Sequence, residues 1–220
     1  MAKRQPLLLV RHAQAEHHVR GITGGWTDTS LTPDGLRQSA LLAERLGREL
    51  SGVKLTLGAS NLQRAAQTAE MLGQALGCRP QIHAQLTDLN NGAAANKTHA
   101  EARRLAIPAS EPLVDWQPYP QAESWRQFHQ RISGFMDGFS AVQTTPALLV
   151  THAAVIDVIV GWWLRLGLER RVHFDAAPAS LTVLVISRWG EPSVERLNDT
   201  AHLYAGGIAG SGLGNWIARG

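Results

Sequence analysis

The chain has 220 residues, is 44% hydrophobic and 18% charged, and carries a formal net charge of +3; these are globular values that predict one domain with a sizeable core. Its single cysteine, Cys78, excludes an intramolecular disulfide and a cysteine metal cluster, and no surrounding motif marks it as a nucleophile. No basic run points to nucleic acid, no apolar run reaches the ~20 residues of a membrane span, and the N-terminus enters its first apolar run too early for a signal peptide. A cytoplasmic protein with neither a nucleic-acid nor a membrane partner is expected; a homo-oligomer stays open.

Leu7–Val10 is an apolar run that reads as a buried central strand, and it stops abruptly at Arg11-His12. A charge and an imidazole at that place are costly unless a ligand or partner meets them. Residues 13–31, rich in Gly, Thr and His, read as a loop. Thr32-Pro33-Asp34 is a helix start, with Thr32 as N-cap. Leu36, Ala40, Ala43 and Leu50 repeat at helical spacing, so the helix runs to about Leu50. Gly52 breaks it, and residues 53–58 alternate toward a second strand. Ser60-Asn61-Leu62-Gln63 has the form of a capping box with Ser60 as N-cap. The helix behind it runs to about Leu76, with Leu62, Ala65, Ala69, Leu72 and Leu76 on one face. A short strand is expected over 80–84, and Thr98–Glu101 is a second capping box that opens a helix to about Leu105. Four prolines make 107–121 irregular. Ser124–Gln127 starts a helix whose stripe of Trp125, Phe128, Ile132, Phe135 and Phe139 is expected to pack in the core. Ala147–Val150 is a strand like the first and also ends in a polar pair, Thr151-His152. A helix over 153–166, a strand over Ser180–Ile186, a turn at Trp189–Pro192 and a return strand over 194–197 follow. The domain is expected to span 1–205. Residues 206–220 read as a flexible glycine-rich tail, because Gly210–Gly214 has no strand before it and no helix after it.

Strands alternating with helices imply an α/β three-layer sandwich: a mostly parallel central sheet flanked by helices, with a small inserted loop and helix region. Strand C-termini then share one edge, where ligands bind in such sheets. Arg11 and His12 follow the first strand, Arg64 the second, and His152 the later strand of the same type. Arg64 lies in a first helical turn, where the dipole disfavours a cation and a bound anion would offset that. Guanidinium forks match phosphate oxygens, so two arginines and two histidines around one point read as a site for a tetrahedral dianion. His17 and His18 are adjacent, so their side chains are expected to diverge toward the surface or pocket rim. No metal-ligand spacing appears.

Several segments resemble the histidine phosphatase superfamily, in its phosphoglycerate mutase-like branch. These are Leu9–Ala15 (LVRHAQA), Gly24–Asp28 with Leu31–Gln38, Ser60–Ala69 (SNLQRAAQTA), Glu123-Ser124 and Val150–Ala153 (VTHA), in family order over roughly 7–185. The resemblance implies a phosphatase that needs no metal or other cofactor and acts on a small phosphorylated metabolite. In that reading His12 is the nucleophile that forms a phosphohistidine, and Arg11, Arg64 and His152 hold the phosphoryl oxygens. Asp88, four residues before Gly92, stands where the family usually has a glutamate proton donor; Glu16 is the nearest competitor. Gln14, His18, Thr23 and Gly24 are expected to add phosphate or substrate contacts. Ala13 and Ala153 stand where the family usually has glycine, and Ala15 replaces a usual hydroxyl residue. A phosphoglycerate mutase is the alternative within enzymes, although no substrate-carboxylate arginine pattern is recognisable around Arg103-Arg104. A non-catalytic phospho-ligand-binding protein is the alternative outside them.

Overall fold

The computed structural model describes residues 5–169 and 172–208. Its strands are β1 (Leu7–Arg11), β2 (Thr56–Ala59), β3 (Gln81–Ile82), β4 (Ala147–Thr151), β5 (Leu181–Ile186) and β6 (Pro192–Asp199), in one sheet of order β3-β2-β4-β1-β5-β6. The β3–β2, β2–β4 and β4–β1 pairs are parallel, while β5 runs antiparallel to both β1 and β6. The helices are α1 (Glu16–Arg20), α2 (Pro33–Glu49), α3 (Gln63–Leu76), α4 (His99–Leu105), α5 (Trp125–Val142), α6 (Ala153–Trp163) and α7 (Ala201–Ala205).

The pleat of β1 sorts its side chains into two cores. Leu8 and Val10 join Leu42, Leu46 and Leu72 of α2 and α3 on one face. Leu7 and Leu9 join Phe128 and Ile132 of α5 and Val155 and Ile159 of α6 on the other. This is the expected three-layer arrangement, and the aromatic stripe of α5 packs against the second core. Among the described residues no helix is long and apolar enough to cross a membrane.

Several local expectations need correction. The loop expected over 13–31 contains α1, and α7 follows β6; each is only five residues long, less than two turns of periodicity. On α2 the buried face is Gly35, Ser39, Leu42, Ala43 and Leu46, while Leu36 is 47% exposed. A close approach sets that face: a Cβ on Gly35 would stand 1.9 Å from the Gln14 carbonyl oxygen. Strand β2 begins only at Thr56. Ser60 does not cap α3, whose N-cap is Leu62; Ser60 has another partner, described below. By contrast Thr32, Thr98 and Ser124 cap their helices as expected. Helix α7 is tied to α2 and β6 through Arg45, which donates to Asp199 (2.7 Å) and meets His202 Nδ1 (3.3 Å). Ile208 packs against the first core; the remainder of the expected glycine-rich tail, 209–220, lies outside the described residues.

Candidate active site

Register brings the polar strand ends together. Arg11 pairs with Thr151 across β1–β4, and Ala59 with Val150 across β2–β4. Beyond that line, the His12 N–H donates to the Thr151 carbonyl (2.8 Å) and the Ser60 N–H to the Val150 carbonyl (3.0 Å). Three adjacent parallel strands thus deliver Arg11-His12, Ser60 and Thr151-His152 to one spot. Helix α3 adds Arg64 from its first turn. His12, Arg64 and His152 are all buried, and the rings of His12 and His152 meet edge to face at 5.1 Å.

The hydrogen bonds fix the tautomer of His12. His12 Nδ1 lies 2.8 Å from the carbonyl of Ala13 and must donate to it, so Nε2 keeps its lone pair. Arg64 Nε donates to that Nε2 at 3.1 Å. On the other ring, His152 Nε2 lies 2.8 Å from Ser60 Oγ. Ser60 Oγ also accepts from the Leu62 N–H (3.3 Å). His152 Nδ1 is buried, has no hydrogen-bond partner and lies 3.8 Å from Asp88 Oδ2. Burial, then ionisable neighbours that would repel a second positive charge, holds both rings well below the ordinary histidine pKa; for His12 those neighbours are His152, Arg64 and Arg11. Both imidazoles are neutral.

Arg64 is fixed by the carbonyls of Thr27 (2.7 Å) and Gly25 (2.8 Å) and faces Asp88 Oδ2 at 3.5 Å. Arg11 donates to the Ala176 carbonyl (2.6 Å), and its buried Nε is unpartnered. His18 Nδ1 accepts from the Ala15 N–H (3.1 Å), which leaves the ring proton on Nε2, 3.2 Å from Arg11 Nη2. Two donors therefore face each other, an arrangement that an anion's oxygen would relieve. The Asp88 carboxyl has Oδ1 held by the Leu89 N–H (2.9 Å), and burial raises its pKa against the pull of Arg64, Leu89, Arg11 and Arg131.

The expected residues divide into two groups. Arg11, His12, His18, Arg64, Asp88 and His152 surround one point. Gln14, Thr23 and Gly24 are engaged in the wall instead: Gln14 Oε1 accepts from Thr32 Oγ1 (2.7 Å), Thr23 Oγ1 donates to the Ala94 carbonyl (2.6 Å), and Gly24 packs against the His17 ring. His17 and His18 do not diverge. Their centroids are 4.1 Å apart, because the 22–29 loop folds over α1 and Thr29 Oγ1 meets His17 Nδ1 at 2.9 Å. His17 is buried and lowered to about 3, by burial first and then by His18, Arg64 and Arg11; His18, at the more open rim, is lowered to about 4 by partial burial and the two arginines. Ala13 and Ala153 do not adopt left-handed backbone conformations, so neither methyl group is strained there. Ala13 gives its N–H to Thr68 Oγ1 (3.2 Å).

Ser60, Asp28, Trp26, Glu123 and Arg131 were not expected in this neighbourhood as working residues. Asp28 Oδ1 takes the Gln63 N–H at the start of α3 (2.8 Å), and Trp26 Nε1 donates to the Asp88 carbonyl (2.8 Å). Ser60 was visible in the sequence, but its spacing to Gln63 matched a cap. Glu16, the competing acid, makes no side-chain contact with the cluster among the described hydrogen bonds and ion pairs, and it begins α1. The arrangement offers one imidazole lone pair, N–H donors grouped around it, and a carboxyl disposed to carry a proton. Among the described residues no group of three or more His, Cys, Asp or Glu side chains is arranged to hold a metal ion.

The sequence profile of the histidine phosphatase superfamily (branch 1) matches residues 7–200. A protein of Hydrogenobacter thermophilus named "Putative phosphoserine phosphatase 2" is 31% identical over 183 residues, 78% of this chain and 85% of its own. An Erwinia tasmaniensis protein named "Probable phosphoglycerate mutase GpmB" is 30% identical over 209 residues, 89% of this chain and 93% of its own. Among solved structures, the alpha-ribazole phosphatase of Shigella flexneri superposes with a TM-score of 0.77 at 22% identity, covering 89% of this chain and 97% of that one.

Proposed function

Because the chain belongs to the histidine phosphatase superfamily, branch 1, we propose that it hydrolyses a small phosphomonoester through a phosphohistidine on His12. The observation that carries this reading is the His12 Nε2 lone pair, fixed by the bond from Nδ1 to the Ala13 carbonyl and buried beside Arg64 and the unpartnered Nδ1 of His152. Relatives named as phosphatases support the substrate class.

The substrate's phosphoryl oxygens are taken by Arg11, Arg64, His18 Nε2–H and His152 Nδ1–H. Arg64 Nε turns from His12 to an oxygen as phosphorus approaches. His12 Nε2 attacks in line, the P–N bond forms, and the P–O bond to the leaving group breaks while Asp88 gives that oxygen its proton. The donors stabilise charge spread over the transferring group, the main contribution in this chemistry. Water then attacks phosphorus, Asp88 takes a proton from it, the P–N bond breaks and phosphate leaves. His12 returns to its neutral form and Asp88 to its acid form, so the protons balance. Gln14, Thr23 and Gly24 brace the pocket wall in this reading. Fixed cations and N–H groups supply the positive charge, so no metal takes part.

The test is release of p-nitrophenol from p-nitrophenyl phosphate at mildly acid pH in buffer containing EDTA, with native and His12→Ala protein. The native protein turns over unimpaired by the chelator, and the variant loses at least ~10³-fold in kcat. Equal release from both would overturn the catalytic reading. Interconversion of phosphoglycerates exceeding phosphate release would move it to a mutase.

A further inference from the structure

Arg131 lies on α5, outside every motif that carried the family resemblance, yet it has an unusually complete set of partners. Its Nε and Nη2 grip Glu123 in a bidentate pair, both at 2.8 Å. Its Nη1 donates to the carbonyls of Gln85 (2.7 Å) and Thr87 (2.9 Å), and Nη2 also donates to the carbonyl of Asp88 (3.1 Å). A guanidinium has five N–H donors, and all five are engaged, so none is left for a substrate oxygen. Glu123 completes the grip from the other side: its Oε2 accepts from the Asn90 N–H (3.0 Å), and its own N–H donates to the Asn90 carbonyl (2.9 Å). The backbone from Gln85 to Asn90 is thereby tied at four residues to one ion pair. Trp26 Nε1 adds a second donor on the Asp88 carbonyl.

Leu86 and Leu89 anchor the loop to the second core, and the clamp holds the polar stretch around them. On the outer side Gln85, Thr87 and Arg131 border an open depression of about 360 Å³ shared with Trp26 and Leu62. The loop's one side chain directed at the reacting cluster is Asp88, with Oδ2 at 3.5 Å from Arg64 and 3.8 Å from His152 Nδ1.

We propose that Arg131 and Glu123 are positioning residues that set where the Asp88 carboxyl stands relative to the leaving oxygen. This rests on the reading of Asp88 as proton donor. A proton donor must be within hydrogen-bond reach of the atom it protonates, and displacements near 1 Å are costly in rate. Lysine at 131 could not keep the grip, since an ammonium has three donors and no planar fork.

A donor of this kind matters for a basic leaving group and hardly at all for an acidic one. The readout is therefore kcat/KM for glycerol phosphate divided by kcat/KM for p-nitrophenyl phosphate, measured for native protein, Asp88→Asn, Arg131→Lys and Glu123→Gln. Glu123→Gln keeps the side chain's size and one acceptor oxygen, so it guards against a variant that merely unfolds. Arg131→Lys and Glu123→Gln are each expected to lower the ratio at least about tenfold, with inorganic phosphate affinity unchanged. Adding Arg131→Lys to Asp88→Asn lowers the ratio no further, because the clamp works through Asp88. Parallel loss on both substrates, or an unchanged ratio in both clamp variants while Asp88→Asn lowers it, overturns the clamp. A ratio unchanged in Asp88→Asn itself overturns the assignment of Asp88, and the clamp with it.

Discussion

Burial and the surrounding cations pull the Asp88 carboxyl in opposite directions, and burial prevails: its pKa is raised above the ordinary carboxylate value. His12 is shifted the other way, well below 6.5. For a reaction that needs Asp88 protonated and His12 neutral, activity is lost as pH rises through the raised pKa of Asp88 and as it falls through the lowered pKa of His12. The profile is bell-shaped, with Asp88 setting its alkaline limb and His12 its acid limb. In Asp88→Asn the alkaline limb of kcat/KM disappears, after correction for the substrate's own ionisation, and turnover of an alkyl phosphate drops ~10²–10⁴-fold. The same shift bears on stability. A raised carboxyl pKa means that the fold disfavours the charged form, so the penalty is fully present above the folded pKa, declines as pH falls below it and is gone only below the unfolded value. Asp88→Asn should therefore melt at a higher temperature than the native protein at neutral pH, and the difference should shrink on acidification. An unchanged alkaline limb would contradict the assignment. Arg11, His12, Arg64 and His152 were legible in the sequence because each sits at a strand end or first helical turn, where a charge needs a reason. Ser60 and His17 were not. A serine three residues before a glutamine has a ready local explanation, and the fold of a loop over α1 leaves no periodic trace.

At the scale of elements, the start of α3 shows how a local signal was misassigned. Three of the four cap patterns hold, but at α3 the role passes to Asp28 from a distant loop, which takes the Gln63 N–H and meets Gln63 Nε2 at 3.2 Å. That frees Ser60 to bond His152 Nε2 and puts a carboxylate beside a helix terminus that carries Arg64 one residue on. Asp28→Ala should remove about 1 kcal/mol of stability in denaturant unfolding, the usual loss for a cap, and should weaken phosphate binding through a less firmly held Arg64. No change in either would show that the first turn of α3 holds without this contact. The long helices α2, α3 and α5 were readable because their apolar residues repeat over several turns. The repeat that includes Leu36 located α2 but not its buried face, because the close approach of Gly35 to the Gln14 backbone, a tertiary fact, decides which face turns inward.

For the whole molecule, the sheet order β2-β4-β1 is what makes a site of scattered motifs. The sequence places Arg11-His12, Ser60–Arg64 and Thr151-His152 after strands of the same direction. It does not say that the third of these strands lies between the other two. That insertion brings His152 against His12 and leaves the 85–90 loop to close the pocket with Asp88. The class of fold followed from alternating strands and helices; the antiparallel β5 within it did not, because a short β-rich segment reads the same in either direction. The covalent step on His12 is tested by rapid acid-free quenching with ³²P-labelled substrate. An alkali-stable, acid-labile phosphoryl group is expected that maps to the peptide containing His12, forms at least as fast as steady-state turnover and is absent from His12→Ala. Turnover that proceeds with no such adduct, or label that maps to another residue, would contradict it.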